Sequence, residues 1–410
     1  MKYASEAGIS PWRLVALLWL AYVINYADRQ AVFSIFPALR RDLAFTDAQL
    51  GLIGSTFIWV YSVAMPFTGR IADLVRRERV IVVSMALWSA ATLGTGLSTS
   101  PAAFFAWRAV MGITEALYVP AALALIAAVH SGSTRSKALA IHATAQFAGI
   151  VAGGWFGGWM AESAGWRYGF AALAVAGLGY SAVLARVLRG APQNAAAGPR
   201  SRAAPLGVAR SPCYVTLAAA FFAFCLMLWM LYAWLPNWIY EHYGRSMAHS
   251  GFISTFYLQI STVGGVLAGG ALADRLIRRA PAARFYVAAA GLLLCAPFAW
   301  LALATSSLGV LKLACAAFGL AAGLFIANLF AAAYDVIAER NYGFGAGALN
   351  LFGGAAGGTA VFLAGLWRRS VGIPALMGWA AALTALGAVA LLAVSLRHFD
   401  ADRARARNLP

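Results

Sequence analysis

The sequence predicts an all-α membrane protein whose twelve transmembrane helices form two pseudo-symmetric six-helix bundles. Three observations predict this. Apolar stretches of membrane-spanning length fill the chain, basic residues collect on one side of those stretches, and one loop motif occurs twice, half a chain apart. Of the 410 residues, 62% are hydrophobic and only 11% are charged, and the mean hydropathy is +0.74. Soluble domains carry about 25% charged residues, so the composition points to lipid as the solvent.

A helix that crosses a bilayer needs about 20 largely apolar residues. Such stretches run at approximately 12–38, 49–72, 79–98, 101–129, 136–161, 166–189, 212–238, 246–272, 282–303, 307–335, 343–367 and 373–396. Punctuation is thinnest at Ser98-Thr99-Ser100-Pro101 and at Ser306-Ser307. The first stretch outruns the apolar core of a signal peptide and lacks a small-residue cleavage site, so it is read as the first span. Cys213, Cys225, Cys295 and Cys315 lie in apolar segments without metal or redox spacing, and neither a disulfide framework nor a metal site is expected.

The formal net charge of +17 could mark a nucleic-acid partner, so the positions of the charges matter. Most of the 31 lysines and arginines fall in loops on the side of the N-terminus, and only Arg40, Arg41, Arg167, Arg245, Arg368 and Arg369 fall on the other. The positive-inside bias then predicts cytoplasmic termini. The bilayer, and not nucleic acid, is the expected partner. Compact loops and an Ala- and Arg-rich composition suggest a bacterial inner membrane.

Residues 190–211, rich in Ala, Gly, Pro and Arg at their start, read as a cytoplasmic linker between a bundle at 1–189 and a second at 212–396, with 397–410 as a tail. The halves repeat. Gly69-Arg70-Ile71-Ala72-Asp73-Leu74-Val75-Arg76-Arg77 follows the second span, and Gly270-Ala271-Leu272-Ala273-Asp274-Arg275-Leu276-Ile277-Arg278-Arg279 follows the eighth. This duplicated motif, with twelve spans and a central loop, resembles the major facilitator superfamily. The first copy departs from that pattern at Leu74, where a basic residue is usual, and at Arg76, where glycine is usual. The resemblance implies two bundles rocking about a midplane site, with Gly69, Asp73, Arg76, Arg77, Asp274, Arg275 and Arg278 forming a cytoplasmic gate. A plain positive-inside loop would account for the arginines but not for the repeated Gly and Asp.

Charges at bilayer depth are costly, so those retained there are functional candidates. Asp28 and Arg29 lie in Asn25-Tyr26-Ala27-Asp28-Arg29 on the first span, and Arg108 and Glu115 lie in Arg108-Ala109-Val110-Met111-Gly112-Ile113-Thr114-Glu115-Ala116 on the fourth. Residues seven apart are about 20° from alignment, which puts Arg108 and Glu115 on one face with Gly112 between them to admit a close neighbour. These elements, with Trp88-Ser89 and Gly165-Trp166-Arg167, resemble anion:cation symporters of sugar acids and similar carboxylates. They are also similar to spinster transporters, toward which Glu115-Ala116-Leu117-Tyr118 leans. Both resemblances imply that Arg29 and Arg108 hold an anionic group while Asp28 and Glu115 carry coupling protons. The competing possibility is a purely structural pairing, Asp28 with Arg108 or Arg29 with Glu115. Buried ion pairs contribute little net stability, which favours function.

Tyr26, Gln146, Tyr257, Gln259, Asn328 and Asn350 are further candidates for reading substrate, although helix-to-helix hydrogen bonding is at least as common for such residues. Lys312 can snorkel to the interface and is left out, as are the isolated imidazoles of His130 and His142. The glycine runs Gly149–Gly158 and Gly353–Gly358 suit a sliding interface between the halves. The fifth-span run also looks like the antiporter motif of drug exporters, except that Gly154 stands where that motif has proline. No ATP-binding loop or catalytic constellation is present. The expectation is a proton-coupled symporter of a small organic anion, monomeric and without a cofactor. A spinster-like lysolipid carrier and a non-transporting membrane sensor are the alternatives.

Overall fold

The computed structural model of the protein describes residues 10–130, 133–189 and 205–408, and at 69, 70, 72, 73, 133, 205, 206 and 408 the backbone alone. The described residues contain helices and no strand. In order they are α1 (Pro11–Ser34), α2 (Phe36–Leu43), α3 (Asp47–Leu74), α4 (Arg77–Gly96), α5 (Pro101–Ala116), α6 (Tyr118–Val129), α7 (Ser133–Ser163), α8 (Trp166–Val187), α9 (Pro205–Ala209), α10 (Pro212–Tyr243), α11 (Met247–Leu276), α12 (Ala283–Ala304), α13 (Leu308–Asp335), α14 (Tyr342–Trp367) and α15 (Ile373–Asn408). Two compact units result. One comprises α1–α8 with Gly244–Phe252, and the other comprises α9–α15 without that segment. Residues 190–204 of the expected linker lie outside the described residues.

Among the described residues, eleven spans are long and apolar enough to cross a membrane, with α5 and α6 together forming one of them. Helix α1 is outside that set, in keeping with Asn25, Asp28, Arg29 and Gln30 along its second half. Counting it brings the spans to the twelve expected from the sequence.

Helix ends follow local chemistry. Ser10, Ser100 and Ser307 cap α1, α5 and α13 by accepting backbone N–H bonds from the third residue on, and proline occupies the first turn after Ser10 and Ser100. Thr46 and Gln49 form a reciprocal capping box on α3. Two expected continuous spans are interrupted. The first breaks at Ile35, and the fourth breaks at Leu117. Pro37 and Pro120 each remove an N–H and crowd the carbonyl four residues back, so the breaks fall just before them. The last helix is longer than its expected span, continuing as α15 to Asn408 through what was read as a tail.

The glycine runs are points of close helix packing. In the first unit a Cβ on Gly153 or Gly157 would strike the backbone of Ala27 or Ala31, and one on Gly149 would press at 2.6 Å on the Val23 carbonyl. Three glycines one turn apart therefore let α7 lie against α1 at backbone contact. The other face of the same run, Gly154 and Gly158, meets Gly251 and Met247 of the segment that belongs to this unit. In the second unit Gly353 and Gly357 of α14 receive side chains of α10, chiefly Phe221 and Trp229.

Candidate functional site

Contact through Ala27 and Ala31 fixes the rotation of α1. At 3.6 residues per turn, Arg29 lies about 200° around from Ala27, so it faces away from α7 and toward α3 and α5. Gly112 then sets the spacing of those two helices, because a Cβ there would stand 3.0 Å from the Phe57 carbonyl and 3.2 Å from the Tyr61 nitrogen. The neighbour expected at Gly112 is therefore α3.

These contacts bring all four charged residues into the interior of the first unit. Arg29 is 8% exposed, Asp28 2%, and Arg108 and Glu115 0%. Arg29 Nε donates to Glu115 Oε2 at 2.5 Å. Of the two structural pairings considered from the sequence, this is the one that forms, an ion pair across α1 and α5. The Thr92 hydroxyl of α4 bonds to Asp28 Oδ2 and also lies 2.9 Å from the Trp88 carbonyl. Arg108 and Asp28 stand within electrostatic range of each other.

The guanidinium groups are under-used. Arg108 Nη1 meets only the Met111 sulfur, at 3.0 Å. Arg108 Nε and Nη2, Arg29 Nη2, Asp28 Oδ1 and Glu115 Oε1 are buried without a hydrogen-bond partner among the described residues. Aromatic rings cover the gap. The Arg29 guanidinium carbon lies 4.4 Å from the Tyr61 ring centroid, 4.8 Å from Tyr26 and 4.9 Å from Phe57, and Arg108 is 4.9 Å from the same Phe57. Such stacking lets a cation persist in low dielectric without consuming its donors. The arrangement can therefore hold an anion on spare N–H groups and can exchange a proton against an ion pair.

The remaining candidates disperse. Gln146 on α7 is half-buried. In the second unit Gln259 is buried with both amide atoms unpartnered among the described residues. Tyr257 is half-buried, with Lys312 Nζ 5.6 Å over its ring. Asn328 bonds to the Gly269 carbonyl at 3.2 Å and the Leu324 carbonyl at 2.9 Å, tying α13 to α11. Asn350 is exposed and bonds within α14 to the Ala346 carbonyl. For these two asparagines the amide is spent on helix backbone.

At the loop motifs, Gly69 and Asp73 are described by their backbone alone. Arg76 pairs with Glu78 at 2.5 Å, and Arg77 reaches the Ala124 carbonyl at 3.5 Å. Asp274, Arg275 and Arg278 are exposed and form no ion pair among the described residues.

Residues 18–361 match the family model described as Major Facilitator Superfamily. The chain belongs to the major facilitator superfamily. Among its relatives, the probable sulfoacetate transporter SauU of Cupriavidus necator is 26% identical over 65% of this chain and 65% of that one. Protein spinster homolog 1 of Homo sapiens is 31% identical over 72% of this chain and 61% of that one. The matched region thus spans slightly less than two thirds of these relatives. A crystal structure of a bacterial homolog of the human lysosomal transporter spinster, inward-facing and unoccupied, superposes with a TM-score of 0.77 over 97% of this chain and 98% of that chain at 18% identity. That likeness establishes the fold.

In this facilitator the residues that sequence reasoning passed over are Phe57, Tyr61 and Thr92, which touch the charged groups, and a buried cluster behind them. In that cluster Tyr22 stacks on His142 at 4.8 Å, and the Tyr118 hydroxyl donates to the Leu18 carbonyl at 2.6 Å and lies 3.4 Å from His142 Nε2. Aromatic and hydroxyl residues are common throughout the spans, so nothing local singled out Phe57, Tyr61, Thr92 or Tyr22, and nothing local joined Tyr118 to His142. Only the fold does.

Proposed function

We infer that this facilitator is a proton-coupled symporter of a small organic anion, a sugar acid or another carboxylate, working by alternating access between its two bundles. The observation that carries this reading is the buried Arg29–Glu115 pair beside Arg108, whose spare N–H groups have no acceptor among the described residues. Burial disfavours a charged carboxylate and a neighbouring guanidinium favours it, so proton uptake by Glu115 and anion capture by Arg29 support each other. With Glu115 neutral, Arg29 is free to grip a carboxylate in bidentate fashion. When the proton leaves, Glu115 reclaims Arg29 and expels the anion. Asp28, bonded to Thr92, is the second proton carrier, set against Arg108. No cofactor is required, the working unit is a monomer, and the protein resides in a bacterial inner membrane with both termini cytoplasmic.

The test is uptake into proteoliposomes. Sugar acids and simple monocarboxylates should enter when the outside is made acidic, with proton movement in step. If no acid in such a panel produces either signal, the reading fails.

A second reading, carriage of a lysophospholipid, is favoured by the 31% identity to a spinster protein and by the aromatic rings around Arg29. It is selected if lysophospholipid stabilises the purified protein against heat and carboxylates do not, since a ligand stabilises the native state it binds.

A further inference from the structure

The first unit carries a second feature, apart from its charged core. Where α4 begins and α8 ends, a cavity of about 440 Å³ opens on its surface, with Arg76, Arg79 and Arg189 at the rim and Val82, Val83 and Leu188 below. Glu78 neutralises Arg76. Arg79 and Arg189 are exposed and make no hydrogen bond or ion pair among the described residues. The adjoining spans run over Arg77–Gly96 and Trp166–Val187. The rim therefore stands where hydrocarbon gives way to head groups, and the apolar floor faces into the hydrocarbon.

The repeat supplies a control. The third and sixth helices of the second unit are α12 and α15. There α15 continues to Asn408, and its Phe399, 3% exposed, packs on Phe285 of α12 with ring centroids 5.7 Å apart. Helix α8 ends at Val187, and among the described residues no such side chain fills the equivalent place in the first unit.

We propose that this cavity binds one anionic phospholipid, its phosphodiester between Arg79 and Arg189 and an acyl chain along Val82 and Val83. A free phosphate would use the arginines but not the apolar floor. A zwitterionic lipid would use the floor but gain little from two unpaired cations.

The experiment is native mass spectrometry of the full chain in detergent, titrated with phosphatidylglycerol, phosphatidylcholine or glycerol 3-phosphate. Wild type should retain one phosphatidylglycerol in preference to phosphatidylcholine, and excess glycerol 3-phosphate should not displace it. Arg79→Gln/Arg189→Gln should weaken retention on the order of thirtyfold, from two surface arginines at about fivefold each. Arg79→Lys/Arg189→Lys should keep most of it. Val83→Trp, which fills the floor with the charges intact, should weaken it as well. Arg397→Gln/Arg407→Gln removes the same charge elsewhere and should change retention less than twofold. Equal loss in that control, or no loss in Arg79→Gln/Arg189→Gln, overturns the site. Displacement by glycerol 3-phosphate overturns the lipid and leaves a free-anion site. Monodisperse elution of each variant separates these outcomes from misfolding.

Discussion

The two units share six long helices and a duplicated loop motif, yet they fill their interiors with different chemistry. The first buries two arginines and two carboxylates at mid-span. Among the described residues of the second, the only buried Asp, Glu, Lys or Arg side chain is Asp402, far along α15, where it accepts from Ser211 and from the Cys213 backbone at the start of α10. Its mid-span polar groups are amides such as Gln259 and Asn328. The same scaffold thus carries a charged core in one copy and, among the described residues, an uncharged mid-span core in the other. Coupling is therefore expected to reside in the first unit, with the second supplying neutral contacts and packing.

The largest effects should come from the charged core. Arg29→Ala and Arg108→Ala should each reduce uptake more than about 100-fold and abolish anion-dependent thermal stabilisation. Glu115→Gln and Asp28→Asn should keep measurable binding while losing dependence on the pH gradient. Arg29→Ala also leaves Glu115 unpaired in the interior, at a cost of about 3–5 kcal/mol. The second change Glu115→Gln should restore the melting temperature without restoring uptake. If Gln259→Ala in the second unit stops uptake as completely as Arg29→Ala, the division between the units is wrong.

Packing should separate the units next. Gly153→Ala sets a methyl against the Ala27 backbone, whereas Gly357→Ala sets one against the Trp229 ring. A ring can turn and a backbone cannot, so Gly153→Ala should destabilise by about 1–3 kcal/mol and Gly357→Ala by less, read as melting temperatures in one detergent. Uptake should follow the same order, because displacing α1 moves Arg29 off Glu115.

A smaller effect divides the amides of the second unit. Asn328→Leu loses two bonds to helix carbonyls that keep their intrahelical partners, costing about 1 kcal/mol. Gln259→Leu removes an amide that has no partner among the described residues and should be neutral or stabilising. A lower melting temperature for Gln259→Leu would mean that its amide is bonded in the working protein.

These contrasts explain what could be read from the sequence. Span positions and the two halves follow from apolar length and a repeated motif, both local properties. Asp28, Arg29, Arg108 and Glu115 stand out because ionised residues are rare in such stretches. Which arginine pairs with which carboxylate is set by the rotation of α1 against α7 and by the α3–α5 spacing at Gly112. Those depend on contacts between residues far apart in the chain. The break at Leu117, two residues after Glu115, falls before Pro120, yet Pro66, Pro236 and Pro297 sit inside unbroken helices, so proline alone did not mark it. Phe57, Tyr61 and Thr92 carried no local mark.

The mildest test lies on a connection outside the spans. Asp42, at the end of α2, accepts from Arg41 Nε at 2.8 Å and from Trp166 Nε1 at 3.0 Å. The Arg41 bond is the main reason its carboxyl sits below the usual carboxylate value, with Trp166 adding to it. A carboxyl whose folded value is lowered adds stability above its unfolded value near 4 and loses it as the pH falls through the folded value. The group is partly exposed and salt-screened, so the contribution is small. Asp42→Asn should lower the melting temperature slightly at pH 7 and by less at pH 3, and 0.5 M salt should shrink the difference at pH 7. A difference of equal size at both pH values would mean that the loss does not come from the ionised carboxylate, since an asparagine oxygen can still accept the Trp166 bond.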